Sequence, residues 1–431
     1  MKLLKQIKYD LGTQPVLGSV SIIGTALAIL LVMVVMMMYV IQTEPIAPES
    51  NRDRLLYEYG ISLSTDQMSG SSHLSHDAID RLYGDLTTPE VICILSSSTS
   101  PRDIAVTGSN PIMADTRAAD QNVWKIFDYT FIHGAPYTST DVETGNKVAV
   151  ITESVARKLF SNADAVGQTM RIMQEPYTVV GVVKDVSPLM GWSYAQIWYP
   201  VETRSASKLD LDGSDVSRYF GEYSVISMAR SADDVDEMRR EIRSRNASFA
   251  NELKAIGWER DDTDFPYTQE AVHLLGGTNR APDIKQDRMI RWILLGIILI
   301  IPAINLSSMT QSRLRRRRHE IGVRRAFGAT RGSIMRDILA ENLVVTLIGG
   351  FIGLVLSMLF AWLFTAFLFE PIDNWEGYSA EMTVDFTMIF RWSIFGWTLL
   401  FCFILNILSA GIPAWRASRV DPVDALNGDS K

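Results

Sequence analysis

The stretch RRRRHEIGVRRAFGATRGSI, Arg315 to Ile334, sits between two long uncharged segments. Arg313, Arg315, Arg316, Arg317, Arg318, Arg324, Arg325, Arg331 and Arg336 crowd into it and its flanks. An arginine at a bilayer centre costs roughly 2.5–3.5 kcal/mol on insertion scales, so this run stays on one side of any membrane its neighbours cross. Charge alone does not account for the pattern. Ile321, Val323, Ala326 and Phe327 punctuate the basic residues, and i,i+4 spacing puts Val323 and Phe327 on one helical face. Gly328 suits a left-handed C-terminal cap. Thr330 can then start a second helix whose Ile334, Ile338 and Leu339 lead into the next apolar stretch. The segment therefore reads as helix, sharp turn, helix, with Phe327 beside the corner. Two readings follow: an element that docks into a groove on a partner, or a juxtamembrane helix lying on lipid headgroups with its basic face toward acidic lipid.

Working outward, four charge-free gaps stand out. They run between Asp10 and Glu44, Arg291 and Arg313, Glu341 and Glu370, and Arg391 and Arg416. Each is long enough to cross about 30 Å of hydrocarbon as a helix, which takes about 20 residues. The expectation is a membrane protein with four transmembrane α-helices: one ending near residue 43, then about 292–312, 343–369 and 392–415. Residues 44–288 form a large extracytoplasmic domain inserted between helices 1 and 2, and 289–431 hold the last three spans. Lys2, Lys5 and Lys8 before the first span, the arginine run, and Arg416 and Arg419 after the last put the N-terminus, that loop and the C-terminus in the cytoplasm. The apolar core of the first span, VLGSVSIIGTALAILLVMVVMMMYVI, exceeds a signal-peptide h-region, so it is expected to be retained.

The formal net charge is −8. The acid excess lies in the long outer segment and the 370–391 connection, which argues against a nucleic-acid partner there. Cys93 and Cys402 fall in the outer domain and the fourth span, so neither a disulfide nor a cysteine-based metal framework is expected.

The outer segment reads as mixed α/β. KVAVI (147–151), YTVVGVV (177–183) and YSVISMAR (223–230) are strand candidates. Thr152 can cap a short helix carrying SVARKLF. Ser231 and Asp234 are spaced like a capping box, and Val235, Met238, Ile242, Phe249 and Leu253 recur at helical spacing. STDQMSGSSHLSH and LDLDGSDVS read as exposed loops. No catalytic motif stands out: there is no G-x-S-x-G elbow and no H-E-x-x-H helix. His73 and His76 lack further ligands nearby, so no metal site is assigned. The triplet NAS (246–248) matches a glycosylation acceptor, and GWSYAQIWYP (191–200) reads either as core or as a partner surface.

Within the spans, Gly349, Gly353, Ser357 and Ala361 recur every four residues, a ridge that lets helices approach closely. It serves packing within the chain or a dimer contact. Asn305 and Asn406 are polar residues in spans, suited to interhelical hydrogen bonding or to a site.

RRRHEIGVRRAFGATRGSIMRDILAENLVVTLIGGFIGLVLS resembles the FtsX domain of ABC transporter permeases of the MacB/LolC type, and PAWRASRVDPVDAL (413–426) resembles that family's C-terminal pattern. KVAVITESVARKLFSNADAVGQTMRI with YTVVGVVKDV resembles the periplasmic core domain of MacB-like permeases. The resemblance implies a multi-pass protein of the bacterial inner (cytoplasmic) membrane. It further implies a dimer with a second permease copy or a paralogue, a cytoplasmic ABC ATPase as partner, and contacts to a periplasmic adaptor and an outer-membrane channel. The segment matching Glu320–Gly328 would be the coupling helix, about 315–328. Glu320, Ile321, Gly322, Arg324, Arg325, Phe327 and Gly328 would then contact the ATPase or form the turn. The sequence contains no G-x-x-x-x-G-K-[ST] phosphate loop, so ATP and Mg would be bound by a separate chain and this one would be non-catalytic, without a cofactor. The implied function is mechanotransmission for export of periplasmic or envelope substrates. The alternatives are an FtsX-like regulator of a cell-wall hydrolase and a membrane receptor.

Overall fold

The computed structural model describes residues 15–106, 110–160, 164–201, 216–261, 265–275 and 318–363, with helical positions scattered through 285–300 and 395–404. Contacts divide the chain into two units: Met1–Val40 with Lys285–Leu368 and Val384–Lys431, and Ile41–Ile284 with Phe369–Thr383.

In the first unit, the helices Pro15–Thr43 and Arg331–Leu363 carry the apolar sequence. Among the described residues, one helix is long and apolar enough to cross a membrane, over Thr346–Leu363, and a shorter apolar stretch covers Ile22–Met37. Most of the other two expected spans, with Asn305 and Asn406, lies outside the described residues.

The second unit contains two β substructures. In one, strands Leu55–Glu58, Tyr223–Met228 and Val91–Ser96 pair antiparallel in that order, and Tyr57 bridges Tyr267 on the far side. Helices His76–Tyr83 and Val235–Ala255 follow the first and third strands in the chain. This is a split βαβ arrangement. One sheet face packs Leu56, Val225 and Ala229 against Ala78, Ile79, Leu82, Met238, Ile242 and Phe249 of the two helices. The opposite face packs Leu55, Tyr57, Cys93 and Ile226 against Val123, Phe127 and Trp192.

The other substructure is inserted between the second and third of those strands. Six described strands pair around a closed ring: Ile197–Pro200, Val148–Thr152, Glu175–Val183, Thr169–Ile172, Ser100–Ala105 and Ile112–Ala119, which returns to Ile197–Pro200. Closure removes the exposed edges that an open sheet would offer for aggregation. Helix Glu153–Phe160 buries Val155, Ala156 and Leu159 in the same core as Ile151, Val179 and Ile197.

The strand and helix expectations find their elements here, but two caps differ. The Ser154 amide donates to Asp185 Oδ1 at 3.2 Å, so a distant loop supplies the helix start assigned to Thr152. Ser231 Oγ donates to the Asp234 carboxylate at 2.7 Å, and a 3₁₀ turn over Ala232–Asp234 precedes the helix. No capping box forms at Ser231 because its hydroxyl is committed to that side chain. STDQMSGSSHLSH is not all loop. Ser69–Leu74 is a strand paired with Ile61–Ser64, an instance of tertiary pairing overriding weak β propensity. Asn246 is fully buried and donates to the Phe265 carbonyl at 3.1 Å, so the acceptor asparagine of the NAS triplet is closed to solvent, while Ala247 and Ser248 face outward. Trp192, Tyr194 and Trp198 are buried too, which decides GWSYAQIWYP as core.

Candidate partner-docking hairpin

Helix Arg318–Ala326 and helix Arg331–Leu363 enclose the turn at residues 327–330. The first helix ends because Gly328 has φ +94°, a conformation that a side chain would strain. The Phe327 amide donates to the Val323 carbonyl at 3.1 Å, and the Ala329 amide donates back to the Arg324 carbonyl at 3.0 Å. The latter is the 6→1 bond of a Schellman cap. Thr330 begins the next helix: its Oγ1 accepts from the Ser333 amide at 3.2 Å.

The two helices are held together by a small apolar contact. Ile321 packs on Ile334, with Ala329 and Ile338 beside it. Arg324 reaches Asp337 at 3.9 Å across the same hairpin, both partly exposed. Gly322 is buried. The predicted residues thus divide into two sets. Ile321, Gly322 and Gly328 shape the hairpin, whereas Phe327 is 88 % exposed at its corner. Ile321 is turned in on Ile334, which fits the turn-forming alternative of that expectation. Glu320 and Arg325 lie on the helix. An exposed phenylalanine on a capped corner of an arginine-rich segment is chemically suited to enter an apolar pocket with an acidic rim.

The small-residue ridge faces a neighbour within the chain. A Cβ placed on Gly349 would come within 2.8 Å of Thr25 Cβ, and one on Gly353 within 2.6 Å of the Ala26 carbonyl oxygen. Ser357 and Ala361 are buried, and Ser357 Oγ donates to the Leu354 carbonyl at 2.8 Å. His73 Nδ1 lies 3.0 Å from the Tyr59 carbonyl, and the His76 ring rests on Tyr223, so both histidines are engaged in packing.

Sequence comparison places this architecture in a class of membrane permeases. Residues 19–245 match the MacB-like periplasmic core domain, and residues 292–422 match the FtsX-like permease C-terminal domain. The chain belongs to the MacB-like ABC transporter permeases, a family that joins these two domains. It is 25% identical over 297 residues to the Bacillus subtilis (strain 168) protein named uncharacterized ABC transporter permease YknZ, covering 68% of this chain and 64% of that one. It is also 25% identical over 355 residues to the macrolide export ATP-binding/permease protein MacB of Burkholderia pseudomallei (strain 1710b), covering 81% of this chain and 47% of that one. The chain therefore spans about half to two-thirds of the length of these relatives. The crystal structure of the periplasmic region of MacB from Actinobacillus actinomycetemcomitans aligns over 48% of this chain and 89% of that chain, at 16% identity and a TM-score of 0.32.

Proposed function

We propose that this chain is the permease subunit of an ABC complex in which a separate cytoplasmic ATPase binds ATP and Mg and drives the hairpin at residues 318–338. Four spans, with boundaries near 43/44 and 288/289 around the outer domain, carry that motion to the extracytoplasmic side. Two permease copies, or this chain and a paralogue, act together. The work done is export of periplasmic or envelope substrates, handed to a periplasmic adaptor and an outer-membrane channel. Phe327, Arg324, Arg325 and Glu320 contact the ATPase, while Ile321, Gly322 and Gly328 hold the corner in shape. Gly349, Gly353, Ser357 and Ala361 pack the third span, and Asn305 and Asn406 bond between helices.

The observation that supports this reading is the exposure of Phe327 on a capped, internally packed corner. Burying a phenylalanine side chain contributes about 2–3 kcal/mol, more than tenfold in affinity. Tagged chain is extracted from native membranes as wild type and as Phe327→Asp, and the copurifying proteins are identified. A nucleotide-binding ATPase recovered at least tenfold better with wild type supports the reading. Equal recovery with the variant sinks the role of Phe327. No ATPase even after cross-linking sinks the ABC assignment.

A further inference from the structure

Glu49 lies just beyond the helix Pro15–Thr43, and its carboxylate is closed off from solvent. It touches three segments that are far apart in the chain. Arg52 Nη2 is 2.8 Å from Oε2, with both side chains buried. The Ser193 amide and hydroxyl both donate to Oε1 at 3.0 Å. Gln269 Nε2 donates to Oε2 at 2.9 Å. Each partner is anchored further out. Arg52 Nη1 donates to the Glu44 carbonyl at 2.7 Å, which is the first residue past the helix. Gln269 Oε1 accepts from Tyr57 Oη at 3.3 Å, in the first strand of the split βαβ half. The loop that carries Ser193 is held from the barrel strand Ile112–Ala119 by Arg117, which donates to the carbonyls of Trp192 and, at 3.0 Å, Gly191.

A buried carboxylate needs this many donors. Desolvation alone would raise its pKa. The Arg52 charge and the bonds from Gln269 and Ser193 outweigh that, and hold the group ionised below the ordinary carboxylate range. Such a group tolerates little displacement of any partner, because a shifted partner leaves a buried charge uncompensated.

We infer that Glu49 is a positioning residue that locks the chain entering the outer domain (44–54), the chain leaving it (265–275) and the barrel loop 187–196 into one body, so that displacement of the entering chain reaches both others. Relay of ATPase-driven motion rests on the permease reading above; the lock itself does not. A structural salt bridge that merely stabilised its own turn would need Arg52 alone. Engagement of Ser193 and Gln269 by the two oxygens of one side chain is what ties three segments.

The test is hydrogen exchange on the full chain in lipid nanodiscs. Glu49→Gln keeps the shape and removes the charge. Amide exchange in 187–196 and in 265–275 is expected to rise together by tenfold or more, with the helix Val235–Ala255 unchanged. Ser193→Ala loosens only 187–196, and Gln269→Leu loosens only 265–275. Arg157→Gln, at an exposed pair on the barrel helix, serves as the comparison and changes neither segment. A rise confined to 44–54, a uniform rise over the whole domain, or no change overturns the lock. A second arm adds the copurified ATPase with ATP and vanadate. In the wild type, exchange changes in all three segments; in Glu49→Gln the response stops at 44–54. A response that still reaches 187–196 and 265–275 in the variant overturns the relay. A wild type without any ATP response sinks the permease reading, while the first arm has already decided the lock.

Discussion

Arg260 Nη2 lies 2.7 Å from Glu58 Oε1, and neither side chain reaches solvent. Tyr83 Oη donates to the other carboxylate oxygen. The pair joins the first strand, the helix His76–Tyr83 and the short strand Glu259–Arg260 that follows the long helix. Removing one partner of a buried pair leaves the other charge uncompensated, at about 3–5 kcal/mol. Arg260→Met is therefore expected to destabilise the outer domain by that amount. The double change Glu58→Leu with Arg260→Met recovers most of the loss. Urea unfolding of the solubilised chain, followed by tryptophan fluorescence, checks both. A single variant as stable as wild type would remove the pair from the account of stability.

Asp120 gives the domain a pH dependence. Burial pushes its carboxyl up to about 6 from an ordinary 3.8, against the pull of hydrogen bonds from the Ile94 and Asn122 amides. The native state then holds this proton more tightly than the unfolded chain does. The resulting stabilisation is complete below pH 3.8 and is lost as pH rises through about 6, a span of roughly 3 kcal/mol at most. Asp120→Asn is neutral throughout and removes this component. The difference in melting temperature between variant and wild type should move in the variant's favour between pH 4 and pH 7, by several degrees. A difference that stays constant across that range would show that Asp120 does not titrate there.

The glycines of the helix Arg331–Leu363 separate by position. At Gly353 an added Cβ would meet the Ala26 carbonyl oxygen at 2.6 Å and Ile29 Cβ at 3.0 Å, whereas at Gly332 it would meet open space. Gly353→Val overpacks the contact with the helix Pro15–Thr43 and is expected to cost about 1–3 kcal/mol. Gly332→Ala gains the helix preference of alanine, roughly 1 kcal/mol. Thermal unfolding in detergent reads the opposite signs. If Gly353→Val melts no lower than wild type, the close approach of these two helices is not a stabilising contact.

Much of the hairpin was legible because its signals are local. Gly328 at a φ of +94° and Thr330 as the next cap follow from backbone sterics at single positions, and they appear as expected. The inward turn of Ile321 was not legible. Periodicity gives a residue's place around its helix, and Ile334 of the second helix then chose which face to cover. Glu49 gave no signal at all. It follows a span in a short polar stretch, and Ser193 and Gln269 lie 144 and 220 residues away.

By itself the sequence determined the apolar helices, the charge-marked hairpin, the strands rich in β-branched residues and the family, because each depends on composition or spacing within a few turns of chain. Tertiary structure alone decided the closure of six strands into a ring, the insertion of that ring into a split βαβ half, and the gathering of Glu49, Arg52, Ser193 and Gln269 around one buried charge. Strand pairing and charge burial are set by partners distant in the chain. Their energies exist only once folding has removed water from between them.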